Sequence, residues 1–234
     1  MSVASDPYLE PRRRVQPVPS TPPQRFRTTG RLSAFWKSAF DRSVAFCALA
    51  LLAPVMVLVG LLILRGNDGP VFFSHVRVGR GGQPFRCHKF RTMIPNGAGR
   101  FQSILDIDPV ARDDWQTHRK VHRDPRVSRL GAFLRSTSLD ELPQFWNVLR
   151  GDMALVGPRP VTSEELGHYG PHAADYMSVR PGITGAWQVS GRSEASYAER
   201  VALDVAYVRN RGFRTDLGIL LRTVSVVLRR EGAF

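Results

Sequence analysis

The chain has 234 residues, 43% of them hydrophobic, which is enough for one substantial core or for one domain plus a membrane segment. Its 33 basic residues against 20 acidic ones leave a net charge of +13, which calls for an anionic partner: nucleic acid, anionic lipid or a phosphate-bearing substrate. Cys47 lies in an apolar run and Cys87 in a basic strand, so neither a disulfide framework nor a thiolate metal site is indicated.

Residues 1–33 read as a disordered basic tail. They carry prolines at Pro7, Pro11, Pro17, Pro19, Pro22 and Pro23 and the cluster Arg12-Arg13-Arg14. A secretory signal is not expected, because the apolar stretch starts too late and no small-residue cleavage site follows Leu64.

Residues 34–65 form the membrane element. Val44 to Leu64 holds 21 residues without a charge, and at ~1.5 Å per residue a straight helix would match the roughly 30 Å hydrocarbon core of a bilayer. Pro54 stands at the middle of the run, where it deletes a helical hydrogen bond at a cost of about 3 kcal/mol. Both flanks are basic: Arg31, Lys37 and Arg42 before the run, and Arg65, Arg77, Arg80, Arg86, Lys89 and Arg91 after it. A spanning helix keeps its Lys/Arg excess on one side, so this symmetry points to a re-entrant helix that turns back at Pro54. Kinked spanning helices also tolerate proline, and on these grounds both topologies stay open.

Residues 66–234 read as a compact polar domain. Val71–Val78 and Phe85–Phe90 are β-branched and aromatic around Gly79-Arg-Gly-Gly82, the pattern of a hairpin with a glycine turn. A phosphate loop is not indicated, since G-x-G-G lacks the Gly-Lys-Ser/Thr ending and a following helix. Lys89 and Arg91 close the second strand. Pro109 to His122 is expected to be helical, with His118 and His122 one turn apart; the cations Arg119 and Lys120 between them argue against zinc.

Ser138-Leu-Asp-Glu141 reads as an S-x-x-E capping box. Leu142, Phe145, Trp146 and Leu149 follow at helical spacing until Gly151 stops the helix. Asp140 and Glu141 are therefore expected in a first helical turn, where carboxylates stay ionised; acidic residues are common there for dipole reasons alone. Thr162 caps a helix holding Glu164 and Glu165, and Ser196-Tyr-Ala-Glu199 is a capping box for a helix to about Asn210. A last amphipathic helix starts at Asp216, with Leu217, Leu220, Leu221, Val224, Val227 and Leu228 on one face and Arg222, Arg229 and Arg230 off it. It suits either packing on the core or lying among lipid headgroups.

Three segments in this order, Lys89–Met93 (KFRTM), Ser138–Pro160 (SLDELPQFWNVLRGDMALVGPRP) and Arg180–Arg192 (RPGITGAWQVSGR), resemble the bacterial sugar transferases, monotopic polyprenyl-phosphate phosphoglycosyl transferases. The similarity runs from about Phe40 to about Thr223. It implies an α+β, mostly helical fold: a re-entrant membrane helix-break-helix, and a compact cytoplasmic catalytic domain with a β-hairpin and interfacial amphipathic helices. One departure is the break itself, Ala53-Pro54, where members often have Ser-Pro.

The resemblance also implies a chemistry. Asp140 is expected as nucleophile, forming an aspartyl phosphosugar with loss of UMP from a UDP-sugar; undecaprenyl phosphate then takes the sugar phosphate. Glu141 is the expected ligand of a Mg²⁺ cofactor, an ion that takes oxygen ligands and often keeps one or two protein carboxylates. Arg135 and Arg159 match phosphate-binding arginines, and Lys89, Arg91, Arg180 and Arg192 are further phosphate-binding candidates. The stretch Val161 to Asp204 most resembles exopolysaccharide-initiating members that transfer galactose or glucose 1-phosphate. The implied place is the cytoplasmic face of the bacterial inner membrane, with anionic lipid as a further partner.

The competing class is a non-enzymatic, membrane-anchored module that binds a polyanion. It accounts for the charge but leaves Asp140, Glu141 and the Pro54 segment without a role, and no helix-turn-helix, zinc-finger or RNA-binding signature is present. Nucleic acid is thus not an expected partner. The sequence leaves open a homo-oligomer and which sugar is transferred.

Overall fold

A computed structural model of the chain describes residues 31–66, 69–94, 98–109, 112–113, 124–190 and 195–229. The basic tail before Arg31, most of the segment from Pro109 to His122 with its two histidines, Arg192 and Arg230 lie outside the described residues.

Helix α1, Arg31–Gly66, is 36 residues long and carries Pro54 inside it. The interruption expected at Pro54 does not end the helix; a proline removes one hydrogen bond and displaces one turn, and a long helix absorbs this locally. If straight, the helix would be about 54 Å long, well beyond a bilayer's apolar thickness. It is long and apolar enough to enter a membrane. Leu51 is 79% exposed, and Val57 and Leu58 are exposed with it. Nearer the ends the helix is packed. Ala45 is buried in a cluster with Leu155, Tyr207 and Ile219, and Val59 and Ile63 are buried with Phe90 and Leu134.

Strands β1 (Phe72–Val78) and β2 (Pro84–Phe90) pair antiparallel as the hairpin pattern predicts, with Phe72 opposite Phe90 and Val78 opposite Pro84. A turn of 3-10 helix at Arg80–Gly82 joins them, and Gly81 and Gly82 adopt the positive φ that glycine tolerates. Helix α2 (Ala98–Ile107) follows. Helix α3 (Arg129–Ser136) is capped by Ser128, whose side chain accepts from the Gly131 N–H.

Helix α4 (Gln144–Arg150) packs on α1 and ends at Gly151, φ 90, as the glycine stop predicts. Strand β3 (Ala154–Val156) then runs through the core. Helices α5 (Ser163–Gly167) and α6 (Ala173–Met177) lead to β4 (Gly182–Thr184), which pairs parallel to β3. This pairing is close: a methyl group on Gly182 would collide with the backbone N of Gly157.

The capping box at Thr162 is present, with Glu165 bonding back to the cap. The one at Ser196 opens α7 (Tyr197–Asn210). Helix α8 (Phe213–Arg229) begins three residues before the expected start. Asp216 is buried there and accepts from Lys37 of α1 at 2.6 Å and from the Tyr207 hydroxyl at 2.8 Å, so it serves tertiary packing as well as the helix. Phe213, Leu217, Leu221, Val224 and Leu228 stay exposed, and Phe40 of α1 meets Phe213 edge to face. The exposed apolar face of α8 thus adjoins the exposed start of α1.

Candidate active site

The capping box expected at Ser138 does not form. Ser138 stands in the left-handed region, φ 56, and makes no side-chain cap bond. Leu139–Glu141 is instead a single 3-10 turn, and α4 starts only at Gln144, behind Pro143. Two elements meet here: α3 ends at Ser136 and the chain must turn sharply to enter α4, and tertiary packing outweighs the local cap. A non-glycine residue with positive φ stores about 1–3 kcal/mol of strain, and such residues gather at functional sites.

This turn buries Asp140, only 6% exposed, and leaves Glu141 partly accessible. Lys89, near the end of β2, faces both. Its ammonium donates to Glu141 Oε1 at 2.6 Å and lies 3.6 Å from Asp140 Oδ2. The two carboxyls are driven apart in acidity. Burial pushes Asp140 up, Glu141 adds to this, and Lys89, Arg135 and Arg159 pull it part of the way back, leaving it above the usual aspartate range. Burial also works against ionised Glu141, but Lys89, Arg159 and hydrogen bonds from Lys89 and Gln144 outweigh it and hold the carboxyl below its ordinary value. Adjacent carboxyls with opposed shifts are a usual sign of divided roles.

The cations around the pair come from three separate elements. Arg135, in the last turn of α3, donates from Nε to Thr92 Oγ1 at 3.0 Å and lies within electrostatic reach of Asp140. Arg159 follows β3, is exposed, and acts on both carboxyls. Its guanidinium also sits 5.9 Å from the centre of the Trp187 ring, and that of Arg200 sits 4.9 Å from it. Arg91 lines a cavity at the end of α1. Arg180 goes elsewhere: it donates to Ser38 of α1 at 3.0 Å and has Arg80, Arg42, Asp41 and Asp152 as its charged neighbours.

Several residues at the site were not singled out by sequence reasoning. Asn147, fully buried in α4, accepts the His88 N–H at 3.0 Å and donates to the Arg86 carbonyl at 2.7 Å, meeting the edge of β2 that β1 leaves open. It fixes the strand, and with it Lys89, against the helix that follows Glu141. Gln144 bonds Glu141. Thr92 holds Arg135, and Arg200 flanks Trp187. A polar Asn147 on the apolar side of a predicted helix was the one readable signal; Arg200 looks like any exposed helical arginine.

Among the described residues no group of three metal-ligating side chains exists. Two adjacent carboxylates nevertheless fit Mg²⁺, which dehydrates reluctantly and is commonly held by one or two carboxylates together with substrate phosphates. The ammonium of Lys89 lies against both carboxyls, so an ion held by Glu141 would share that carboxylate with Lys89 or displace it.

A buried aspartate beside an ion-paired glutamate, with Lys89, Arg135 and Arg159 acting on the pair, defines a site suited to anionic phosphate ligands. The family model described as bacterial sugar transferase matches residues 32–230, and the chain belongs to that family. It is similar to an Erwinia amylovora protein named UDP-galactose-lipid carrier transferase, 46% identical over 202 residues, 86% of this chain and 42% of that one. The exopolysaccharide production protein ExoY of Rhizobium meliloti is 44% identical over 198 residues, covering 85% of this chain and 88% of ExoY. A Caulobacter vibrioides protein named UDP-glucose:undecaprenyl-phosphate glucose-1-phosphate transferase is 36% identical over 207 residues, 85% of this chain and 72% of that one. The chain thus spans less than half of the Erwinia relative but most of ExoY.

Proposed function

We propose that this protein transfers a hexose 1-phosphate from a UDP-sugar to undecaprenyl phosphate, initiating an exopolysaccharide at the cytoplasmic face of the bacterial inner membrane. The observation that carries the reading is the Asp140–Lys89–Glu141 group: a buried carboxyl, a carboxyl held ionised, and a cation between them. The names of the relatives supply the substrates, galactose in one and glucose in another.

A carboxylate oxygen of Asp140 attacks the phosphorus that carries the sugar. The bond from that phosphorus to the bridging oxygen breaks, and UMP leaves with the electron pair. An oxygen of the acceptor phosphate then attacks the same phosphorus, and the Asp140 carboxylate departs. Both steps move negative charge through one place, and Arg135, Arg159 and Lys89 meet that charge from three sides. Glu141 is the residue to hold Mg²⁺, which when bound supplies Lewis-acid neutralisation of the diphosphate. Trp187, with Arg159 and Arg200 against its ring, offers a face for the uracil.

A one-leaflet topology for α1 is supported by its packing. Ala45 and Ile63, near opposite ends of the apolar run, are both buried against the same domain, which a helix crossing the bilayer would place on opposite sides. Pro54 lies between them, where the helix enters deepest in this reading.

The test uses the full chain in detergent with radiolabelled UDP-galactose or UDP-glucose and no acceptor. The expected result is a burst of UMP of at most one equivalent, label on Asp140, and release of the label as a lipid diphosphate sugar when undecaprenyl phosphate is added. Chelation is expected to abolish the burst and Mg²⁺ to restore it. UMP release only in the presence of lipid, with no labelled protein, overturns the covalent mechanism.

A further inference from the structure

A cavity of about 260 Å³ lies where the end of α1 meets the start of α3. Its apolar lining includes Ile63, Met93 and Leu130, and its charged lining is Arg91 and Arg129. Among the described residues Arg129 has no carboxylate partner. The volume falls below the roughly 300–1,000 Å³ of pockets that enclose a drug-sized ligand. It suits a single phosphate and a short stretch of hydrocarbon, not a nucleotide sugar.

The cavity also has the right neighbours on both sides. Ile63 belongs to the same helix face as Val59, and the exposed Leu58, Leu61, Leu62 and Leu64 surround that face, so the cavity lies beside apolar surface suited to lipid. On the other side the Thr92 carbonyl accepts the Ser128 N–H at 3.1 Å, while the Thr92 hydroxyl accepts from Arg135, the cation next to Asp140. Arg129 and Arg135 share α3, and their six-residue separation amounts to about 9 Å along the helix. The cavity and the cation next to Asp140 are thus served by one short helix, and Arg91 directly follows β2, two residues beyond Lys89.

We propose that this cavity is the docking site of the isoprenoid acceptor: Arg91 and Arg129 take its phosphate monoester, and Ile63, Met93 and Leu130 take the first part of its chain. The proposal rests on the acceptor half of the reaction above. A glycerophospholipid headgroup carries related chemistry, a phosphate on an apolar tail. The monoester is favoured because its second negative charge matches two guanidiniums, each of which binds phosphate through paired N–H groups.

The experiment compares wild type with Arg129→Ala and Arg129→Lys in nanodiscs. Arg129 is exposed and in the first turn of its helix, so neither variant threatens folding. Binding of a fluorescent polyprenyl monophosphate is measured without donor, and acceptor KM is measured with it. Arg129→Ala is expected to weaken both about tenfold or more, Arg129→Lys by less, and the acceptor-free UMP burst is expected to persist. Excess phosphatidylglycerol is expected to compete weakly. Unchanged binding in Arg129→Ala, a burst lost in parallel, or equal competition by phosphatidylglycerol overturns the assignment. Should the wild type transfer no sugar phosphate, the reaction proposed above fails, and the binding comparison still decides the cavity.

Discussion

Lys89 Nζ and Glu141 Oε1 lie 2.6 Å apart, although 52 residues separate them in sequence, and the same ammonium lies 3.6 Å from Asp140. One side chain from a hairpin thus sets the charge balance of a turn formed elsewhere. Lys89 lowers the pKa of both carboxyls, so its removal raises both. For Lys89→Met the acidic limb of the pH–rate profile is expected at higher pH than in wild type, with kcat/KM down about 100-fold at neutral pH. An unmoved limb means that Lys89 does not act through the carboxyls.

Asp140 is held in a place that suits its neutral form better than its ionised form, burial being the largest cause. The sign follows: an acid whose folded value is raised contributes most at low pH, and that contribution is lost as pH rises from the unfolded value toward the folded one. Asp140→Asn imitates the neutral form. It is expected to abolish labelling and turnover while gaining on the order of 1 kcal/mol at pH 7.5, a rise in melting temperature of about 2–4 °C. A melting temperature below that of wild type at this pH contradicts the reading that burial disfavours ionised Asp140.

Asn147 replaces a neighbouring strand for residues 86 and 88 of β2. In Asn147→Leu a buried N–H and a buried carbonyl lose their partner, at about 1–3 kcal/mol each. Asn147→Asp keeps the acceptor for His88 and loses the donor to Arg86, so its loss is expected to fall between those of wild type and Asn147→Leu. Because Lys89 adjoins His88, kcat is expected to fall more than donor KM rises in the variants that remain folded. Stability lost without any change in kcat assigns Asn147 to the scaffold alone.

Asp204, 1% exposed, accepts from the Tyr169 hydroxyl at 2.7 Å through Oδ2, and its Oδ1 has no hydrogen-bond partner. Burial pushes its pKa up to about 7, against smaller opposing effects of the Tyr169 bond and Arg159. The folded value is again raised, so the stability tied to this proton is present below about pH 4, the unfolded value, and is lost as pH rises to about 7. Thermal unfolding between pH 5 and pH 8 is expected to show this decline, and Asp204→Asn is expected to flatten it. An equal slope in both proteins removes Asp204 as the cause.

What the sequence determined by itself was local. A glycine turn between two β-branched runs marked the hairpin, and Ser or Thr three residues before Glu marked the caps that form at Thr162 and Ser196, because each signal acts within one turn of chain. The uncharged run in α1 and the adjacent acids Asp140 and Glu141 were legible for the same reason. Tertiary structure decided the rest. The cap pattern at Ser138 is as good locally as the one at Ser196, yet the turn packs against α3 and β2, with Ser138 at positive φ and the acidic turn shortened to 3-10. Arg180 and Arg135 look alike in sequence, but the segment leading into β4 places Arg180 on Ser38 while Thr92 holds Arg135 beside Asp140. Distances across the fold depend on which faces bury together, and burial is a property of the whole chain that no single segment encodes.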